Sequence, residues 1–376
     1  MILKELVSSL DEIFHKSLAA DWDRVGLQIG NERRDIKKIL ITLDLDNEAI
    51  EEAVGNDADL VISHHPTMFD PIDSVTYSND TGKKVMRLVE NKISAYAAHS
   101  NYDIMDEGLS DILAQKLGLK NIKSIGDHKK QWYKFVIFSP PGSHKKIVKA
   151  ICGSGGGKFK DYSCCTFSSP GKGTFLPEKD AHPFIGNIGE LSIVDEVRME
   201  CIVDEENLKQ LIKDVIEVHP YEEPAYDIYK IENQLKNTGF GRYGRVEQPA
   251  VFKEYIKVVK KNLQIADIGW IDRGIKNTGD RLINKVAVAG GSVNSITKEL
   301  TGIDCDLVIV GEISYHNAIK ISESGKIVAV IGHGTSEKYA IDGIYNRLVR
   351  FFKDNNIDMD VFKSKSGYWI WRYDID

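Results

Sequence analysis

The outer parts of the chain alternate short apolar runs with amphipathic stretches. From residue 36 to about 119 the apolar runs are KKILITLD, DLVIS and ISAYAA, and they are separated by NEAIEEAV and KKVMRLVENK. Continuous Val, Ile and Leu runs are typical of strands buried in a largely parallel sheet, and the segments between them have helical spacing. The same alternation returns from Lys285 in KVAVAGG, DLVIVG and KIVAVIG. The pattern therefore predicts an α/β fold with two sets of β-α units.

The segment between these two sets has a different pattern. KFVIFSPP and AYDIYKI indicate strands, VRMECIVDEENLKQLIKDVIEVHP indicates a strand followed by a helix, and residues 153–173 are rich in Gly, Ser and Lys. This order of elements is typical of a small ferredoxin-like α+β sandwich. We expect residues 126–236 to be an inserted domain, and residues 1–125 and 237–376 to form the two halves of one domain. The Gly-rich stretch is predicted to be a loop rather than a phosphate cradle, because no G-K-[ST] spacing follows a strand.

The two outer halves also align with each other. DADLVISHHP from Asp57 matches DCDLVIVGEI from Asp304, and ISAYAAHSNYD from Ile93 matches IVAVIGHGTSE from Ile327. A strand-plus-helix segment precedes the matched pair in each half, KILITLDLDNEAI in the first and KVAVAGGSVNSIT in the second. Matches in the same order, each ending a predicted strand, indicate an internal duplication.

Imidazole and carboxylate side chains follow the predicted strands at equivalent places in the two copies. Ligands gather outside the carboxyl ends of parallel strands, so two facing copies would bring these groups together. Such donors suit zinc, iron(II), manganese or cobalt. Each motif alone is more often structural, as a polar loop or as a histidine oriented by a carboxylate, but their combination favours a metal site. The groups are His64, His65, His99, Asp103, Glu312, His333 and Glu337.

Composition narrows the classes of function. The formal net charge of -7 argues against a nucleic-acid partner held by phosphate neutralisation, and 42% hydrophobic with 28% charged residues fits a soluble globular protein. Five cysteines without C-x-x-C spacing fit neither a disulfide framework nor a zinc ribbon, so we expect a reducing compartment. No apolar run approaches the ~18 residues of a membrane span, which predicts a cytoplasmic protein. Solvated or core roles are expected for the histidines without carboxylate spacing, which are His15, His128, His144 and His182.

Motifs along nearly the whole chain carry a family resemblance. They are DWDRVGLQIG from Asp21, SHHP from Ser63, HSNYD from His99, AGGS from Ala289, GEISYH from Gly311 and GHGTSE from Gly332. In these motifs the chain resembles the dinuclear metal-centre hexameric proteins called GTP cyclohydrolase I type 2 homologs. The middle motifs resemble the inserted PII- or CutA-like domain of the longer members, and they are GTFLP from Gly173, HPFIG from His182 and HPYEEPAYDIY from His219.

The resemblance implies a toroidal homohexamer with two divalent metal ions per subunit facing an interior cavity. His99 would lie close to the metal pair. Arg24, Val293 and Gly334 depart from the commoner family pattern, but none of them removes a ligand. The metal ligands that the resemblance implies are His64, His65, Asp103, His333 and Glu337.

A dinuclear site of this kind predicts a hydrolase that uses a metal-activated water. We expect Glu312 to act as the base and His316 to contact a ligand or the substrate. The family name suggests opening of the guanine ring of GTP, although neither a P-loop nor an N-K-x-D pattern indicates nucleotide binding. Two alternatives are a metal chaperone or regulator without turnover, and a scaffold whose metals only hold the fold. Trp22, Asp23 and residues 26–30 are predicted to support the wall of the site rather than to bind metal, since Asp23 lacks a nearby histidine partner and Gly26 and Gly30 indicate turns or close backbone approach.

Overall fold

The fold is mixed α/β with several sheets, as the sequence predicts. The computed structural model describes residues 1–127, 131–159, 162–231 and 238–365. The chain divides into two compact units, one formed by residues 1–128 with 236–376 and the other by residues 129–235. We call them the outer unit and the inserted unit. The second predicted boundary, between residues 236 and 237, lies outside the described residues, and independent folding of the inserted segment stays a prediction.

The first half of the outer unit alternates helices and strands. Leu3, Leu6 and Leu10 recur at helical spacing and bury one face of the first helix. The Asp46 carboxylate caps the second helix by accepting the Ala49 N–H at 2.8 Å. The elements are α1 (Leu3–Ile13), β1 (Gly26–Ile29), β2 (Lys38–Thr42), α2 (Asn47–Gly55), β3 (Leu60–Ser63), α3 (Asp80–Glu90), β4 (Ser94–Ala97), α4 (Ser100–Ile104), α5 (Leu109–Lys116) and β5 (Leu119–Asp127).

The inserted unit is a four-stranded antiparallel sheet with two helices. Its elements are β6 (Trp132–Ser139), α6 (His144–Gly153), β7 (Thr166–Phe175), β8 (Ser192–Asp204), α7 (Glu205–Val218) and β9 (Tyr226–Ile231). The sheet order is β7-β8-β6-β9, and each neighbouring pair is antiparallel. Phe135 and Ile137 point to the same face of β6 and pack into a buried core with Ile147 of α6 and Leu211 of α7.

Two expectations about this segment are corrected by the structure. The stretch predicted as a loop is partly strand, because residues 166–175 pair along their whole length with β8. Cys152 and Cys164 form a disulfide with their Cα atoms 4.9 Å apart, whereas the sequence predicted no disulfide framework. The turn after α6 brings the two cysteines together, which their spacing alone does not show. Cys165, Cys201 and Cys305 are free.

The second half of the outer unit repeats the topology of the first. Strands β1 to β4 have the spatial order β1-β4-β3-β2, with β1 antiparallel to β4 and the other neighbours parallel. Strands β11 to β14 have the order β11-β14-β13-β12 with the same directions. The elements are β10 (Gly239–Val251), α8 (Phe252–Leu263), β11 (Gly269–Ile271), β12 (Leu282–Ser292), α9 (Thr297–Gly302), β13 (Leu307–Glu312), α10 (Tyr315–Glu323), β14 (Ile327–Val330), α11 (His333–Glu337), α12 (Tyr339–Asp354) and β15 (Asp360–Lys363).

Each half also adds a strand to the other half's sheet. Strand β15, at the end of the second half, pairs in parallel with β2, whereas β5, at the end of the first half, pairs with β10 beside β12. The buried faces of both sheets share one large apolar cluster, to which Ile39 and Leu60 contribute from the first sheet and Val286 and Leu307 from the second. The two halves are therefore one folded body.

A buried ion pair reinforces the junction between the halves. Arg242 of β10 is fully buried, and its guanidinium donates to both carboxylate oxygens of Asp111 in α5 at 2.6 and 2.8 Å. The same group also donates to the carbonyls of Gly239, Gly241 and Met105. This bidentate pair fixes the first half against the second.

Among the described residues, none of the helices is both long and apolar enough to span a membrane.

Candidate metal centre

The predicted donor residues lie where strands of the outer unit end. His64 and His65 directly follow β3, and His99 follows β4 and precedes α4, which carries Asp103. His333 and Glu337 are the first and last residues of α11, after β14. The structure brings donors from the two halves within 4.8 Å of one another in overlapping groups. The duplicated strand exits therefore converge on one place.

In all four histidines of this cluster an oxygen atom lies against Nδ1, as a hydrogen-bond partner for three of them and as an ion-pair contact for His333. His64 Nδ1 lies 2.8 Å from the Ala98 carbonyl, which can only accept a hydrogen bond. The carboxylates of Asp44, Asp23 and Glu312 lie against Nδ1 of the other three. These contacts are His65–Asp44 at 2.7 Å, His99–Asp23 at 3.0 Å and His333–Glu312 at 3.2 Å. An acceptor at Nδ1 selects the tautomer whose free lone pair is on Nε2, which is how proteins orient metal-binding histidines.

Glu337 is the buried centre of the cluster. Its exposure is only 1%, and its Oε2 lies 2.9 Å from His65 Nε2 and 3.1 Å from His333 Nε2. Its Oε1 lies 3.9 Å from His64 Nε2. One carboxylate thus faces histidines from both halves of the chain.

Two donor atoms in the cluster are buried without a partner. His64 Nε2 and Asp103 Oδ1 lie 3.5 Å apart, and neither has a hydrogen-bond partner among the described residues. Unpaired buried polar atoms cost about 1–3 kcal/mol each, so native proteins rarely retain them without an ion or water. A cation between these atoms would satisfy both. The donor set of imidazole nitrogens and carboxylate oxygens therefore fits a divalent transition metal.

The carboxylates and imidazoles of the cluster are buried close together, and this shifts their pKa values. Burial alone would raise the pKa of Glu337, but the neighbouring His333, His64 and His65 lower it well below its ordinary value. Burial raises the pKa of Asp103, and the neighbouring His64 only partly offsets this effect. Burial lowers the pKa of His65, but Asp44 and Glu337 together raise it to about 10. The pKa values of His64 and His333 are raised as well, so without a metal these histidines and His65 favour the protonated form beside the carboxylates.

A glycine forms part of the wall beside Glu337. Gly291 of the AGGS motif has φ +56°, and a Cβ built on it would lie 2.2 Å from Glu337 Oε1. Only glycine combines this left-handed backbone with so close an approach of the carboxylate. The motif therefore leaves space for a metal-binding side chain.

Aromatic side chains border the cluster on the side of His99. The Trp22 ring centroid is 5.9 Å from that of His99 and 5.9 Å from that of Phe69. Trp22 is 50% exposed and Phe69 is 46% exposed. The prediction that Trp22 and Asp23 support the wall agrees with these contacts. The stated reason for Asp23 was wrong, because its partner His99 lies far away in sequence but adjacent in the fold.

The structure places the remaining predicted residues differently. Glu312, predicted as a base, ends β13 half-exposed and contacts His333. His316 is exposed in the first turn of α10, where its ring contacts Tyr315 and is not part of the donor groups found among the described residues. Asp44, which contacts His65, is not among the residues predicted from the sequence, although its position just after β2 was an available signal. His128 lies outside the described residues, and His144 of the inserted unit contacts the Ser168 hydroxyl.

Comparisons with known proteins point to one family. The sequence profile of the Duf34/NIF3 (NGG1p interacting factor 3) family matches residues 1–367. The GTP cyclohydrolase 1 type 2 homolog of Halalkalibacterium halodurans is 33% identical over 93% of this chain and 92% of its own, and that of Bacillus subtilis is 31% identical over 96% of each. A Bacillus cereus protein related to NIF3 superposes with a TM-score of 0.76 at 30% identity over 97% of both chains. Staphylococcus aureus protein SA1388 gives 0.79 at 26% identity over 99% of both.

Proposed function

The chain belongs to the Duf34/NIF3 family, and from this premise we propose that it is a dinuclear metal-binding protein that acts as a metal-dependent hydrolase. The observation that carries the proposal is the common arrangement of four histidines, each with an oxygen atom against Nδ1. Metal-binding histidines almost always donate their second ring N–H to such an oxygen, which fixes the orientation of the ring.

The overlap of the donor groups supports two ions rather than one. His64, Asp103 and Glu337 form one group, and His65, His333 and Glu337 form another. Glu337 belongs to both, so we assign it as a ligand shared by two ions. A third group joins His99 to His64 and His65, which makes His99 an additional donor at the same centre. By donor chemistry the ions are zinc, iron, manganese or cobalt.

Two divalent ions held there would supply Lewis acidity to a substrate oxygen and lower the pKa of a water molecule toward neutrality. The chain's own residues have separate tasks. Asp44, Asp23 and Glu312 orient the histidines through Nδ1. Glu312 is 53% exposed on its side chain and contacts His333 through Oε2, so Oε1 is left to accept a proton during hydrolysis.

The substrate class follows from the exposed aromatic wall. Trp22 and Phe69 are half exposed beside the donor cluster, and such rings bind planar groups by stacking. The names of the relatives refer to GTP cyclohydrolase, so GTP is the first substrate to test. We propose His316 only as an outer contact of a large substrate, because its exposed ring has no described contact with the cluster.

Three further expectations belong to the same proposal. The resemblance supports a homohexamer and a cytoplasmic location. The inserted unit is proposed to be a ferredoxin-like module of the PII or CutA type. Its β-α-β-β-α-β order and its sheet order β7-β8-β6-β9 support this assignment.

The experiment combines elemental analysis of purified protein with a screen for hydrolysis, beginning with GTP. We expect bound transition metal and metal-dependent release of a hydrolysed product. At saturating metal, Glu312→Gln should keep the full metal stoichiometry but lose the product, because the base is removed. Bound metal without turnover of any substrate would instead identify a metal chaperone or regulator. Protein that folds without metal and does not bind it when supplied would contradict the proposal.

A further inference from the structure

The inserted unit contains a cavity of about 610 Å³ that the metal centre does not use. Its wall is built from the end of β7, the loop after it, strand β8 and the loop between α7 and β9. Three sequence motifs meet there, namely GTFLP, HPFIG and HPYEEPAYDIY. A volume between roughly 300 and 1,000 Å³ is typical of small-molecule sites.

The wall of the cavity contains both aromatic and acidic side chains. Phe175 and Phe184 both lie near Tyr221, with ring centroids 6.3 and 6.2 Å from it. Among the residues that the structure describes, no lysine, arginine or histidine lines the cavity. The acidic lining residues are Asp180, Glu196, Glu222 and Glu223.

These carboxylates lack cationic partners. None of the four forms an ion pair within the described part of the chain, although neighbouring Asp195 does so with Lys172. Glu222 accepts only the backbone N–H of His182, at 2.9 Å. A group of carboxylates beside aromatic faces attracts positive charge, both by Coulomb attraction and by cation–π interaction.

Two residues show that the Glu196 carboxylate is built into the wall. A Cβ on Gly173 would lie 2.1 Å from Glu196 Oε2, so the glycine lets the carboxylate lie directly against β7. The Tyr221 hydroxyl is buried beside the Glu196 carboxylate, and burial together with this carboxylate raises the pKa of Tyr221 to about 12. The carboxylate and the hydroxyl therefore lie next to each other on the cavity wall.

We propose that this cavity binds a small organic cation, an ammonium or amidinium group attached to an apolar body. The apolar body packs between Phe175, Phe184 and Tyr221. The cationic group is neutralised by Glu196 and hydrogen bonds to the Tyr221 hydroxyl. This site is separate from the proposed hydrolase centre and does not depend on it.

The test measures binding of probes to the full-length protein by isothermal titration calorimetry. The probes are phenethylamine, its neutral analogue phenethyl alcohol and its anionic analogue phenylacetate. We expect the amine alone to bind, with an affinity that falls as salt is raised. Glu196→Gln should weaken amine binding about tenfold or more, because it removes a charge-assisted contact. Asp195→Asn is the matched control, since this neighbouring carboxylate already pairs with Lys172, and it should leave binding unchanged.

Several results would overturn the proposal. Equal binding of the alcohol and the amine would show that charge is not recognised, and equal effects of the two substitutions would show that Glu196 is not the recognising group. Binding of a blocked lysine peptide without binding of the free amine would identify a protein side chain as the ligand instead. Nuclear magnetic resonance of wild-type protein checks the location without any variant, because the amine should perturb Gly173 and Tyr221.

Discussion

Substitution of Gly291 by alanine tests whether the position of Glu337 determines metal binding. The new Cβ would lie 2.2 Å from Glu337 Oε1, whereas ordinary contacts lie at 3.4–4 Å. The carboxylate must therefore move by about 1 Å, which exceeds the tolerance of about 0.2 Å that metal–ligand distances allow. The same substitution costs about 1 kcal/mol in backbone strain, because φ is +56°.

Gly325→Ala is the matched control for backbone strain. Gly325 also has a left-handed φ, of +89°, but nothing lies within 4 Å of its Cβ position. We expect both variants to lower Tm by about 2–4 °C per kcal/mol of strain. Only Gly291→Ala should lose metal, which elemental analysis after dialysis measures. Equal metal content in the two variants would refute the assignment of Glu337 as the shared ligand.

Three further predictions concern the supporting structure. Arg242→Ala should lower the free energy of unfolding by about 3–5 kcal/mol in urea titrations, because it leaves Asp111 buried without its partner, whereas the exposed Arg245→Ala should change it little. Burial lowers the pKa of His219, so the inserted unit should lose stability as the pH falls from about 6.5 through the lowered pKa of this histidine. Amide hydrogen exchange, corrected for its own dependence on pH, measures this stability, and an unchanged stability over that range would contradict the reasoning. Asp23→Asn should keep full metal stoichiometry at saturation but weaken affinity about 10- to 100-fold, and loss of one whole equivalent would make Asp23 a ligand.

The parallel strands and the donor residues could be predicted because their signals are local. Strands β2, β3 and β4 are buried on both faces, which produces the continuous apolar runs KILIT, LVIS and SAYA. The histidines directly follow such runs, so the sequence predicted their position at the ends of the strands. The internal match of the two halves then predicted that they meet.

Other features depend on contacts between distant residues and leave no local signal. Strands β1 and β11 have only 4 and 3 residues, too short for a periodic pattern, although they complete the repeated topology. Strand β15 of the second half pairs with β2 of the first half and places Asp360 opposite Lys38, and nothing near either residue in the sequence indicates its partner. Asp23 likewise contacts a residue that is distant in the sequence, His99. For this reason the sequence suggested that Asp23 had no histidine neighbour.

The metal content of carboxylate variants tests the dinuclear centre most directly. Asp103 comes from the first half and Glu337 from the second, and both belong to one donor group with His64. Removing either anion leaves two neighbouring cations less well neutralised, which weakens both. We therefore predict that Asp103→Ala and Glu337→Ala each reduce bound metal from about two ions per chain to one or fewer, and that the double variant is little worse.

Equilibrium dialysis with elemental analysis makes this measurement, and Asp106→Ala is the control because Asp106 is exposed just beyond α4. The control should keep wild-type metal content. Independent, additive losses in the two single variants would indicate two separate mononuclear sites. Those losses, or wild-type stoichiometry after both substitutions, would contradict a shared centre built from the two halves of the chain.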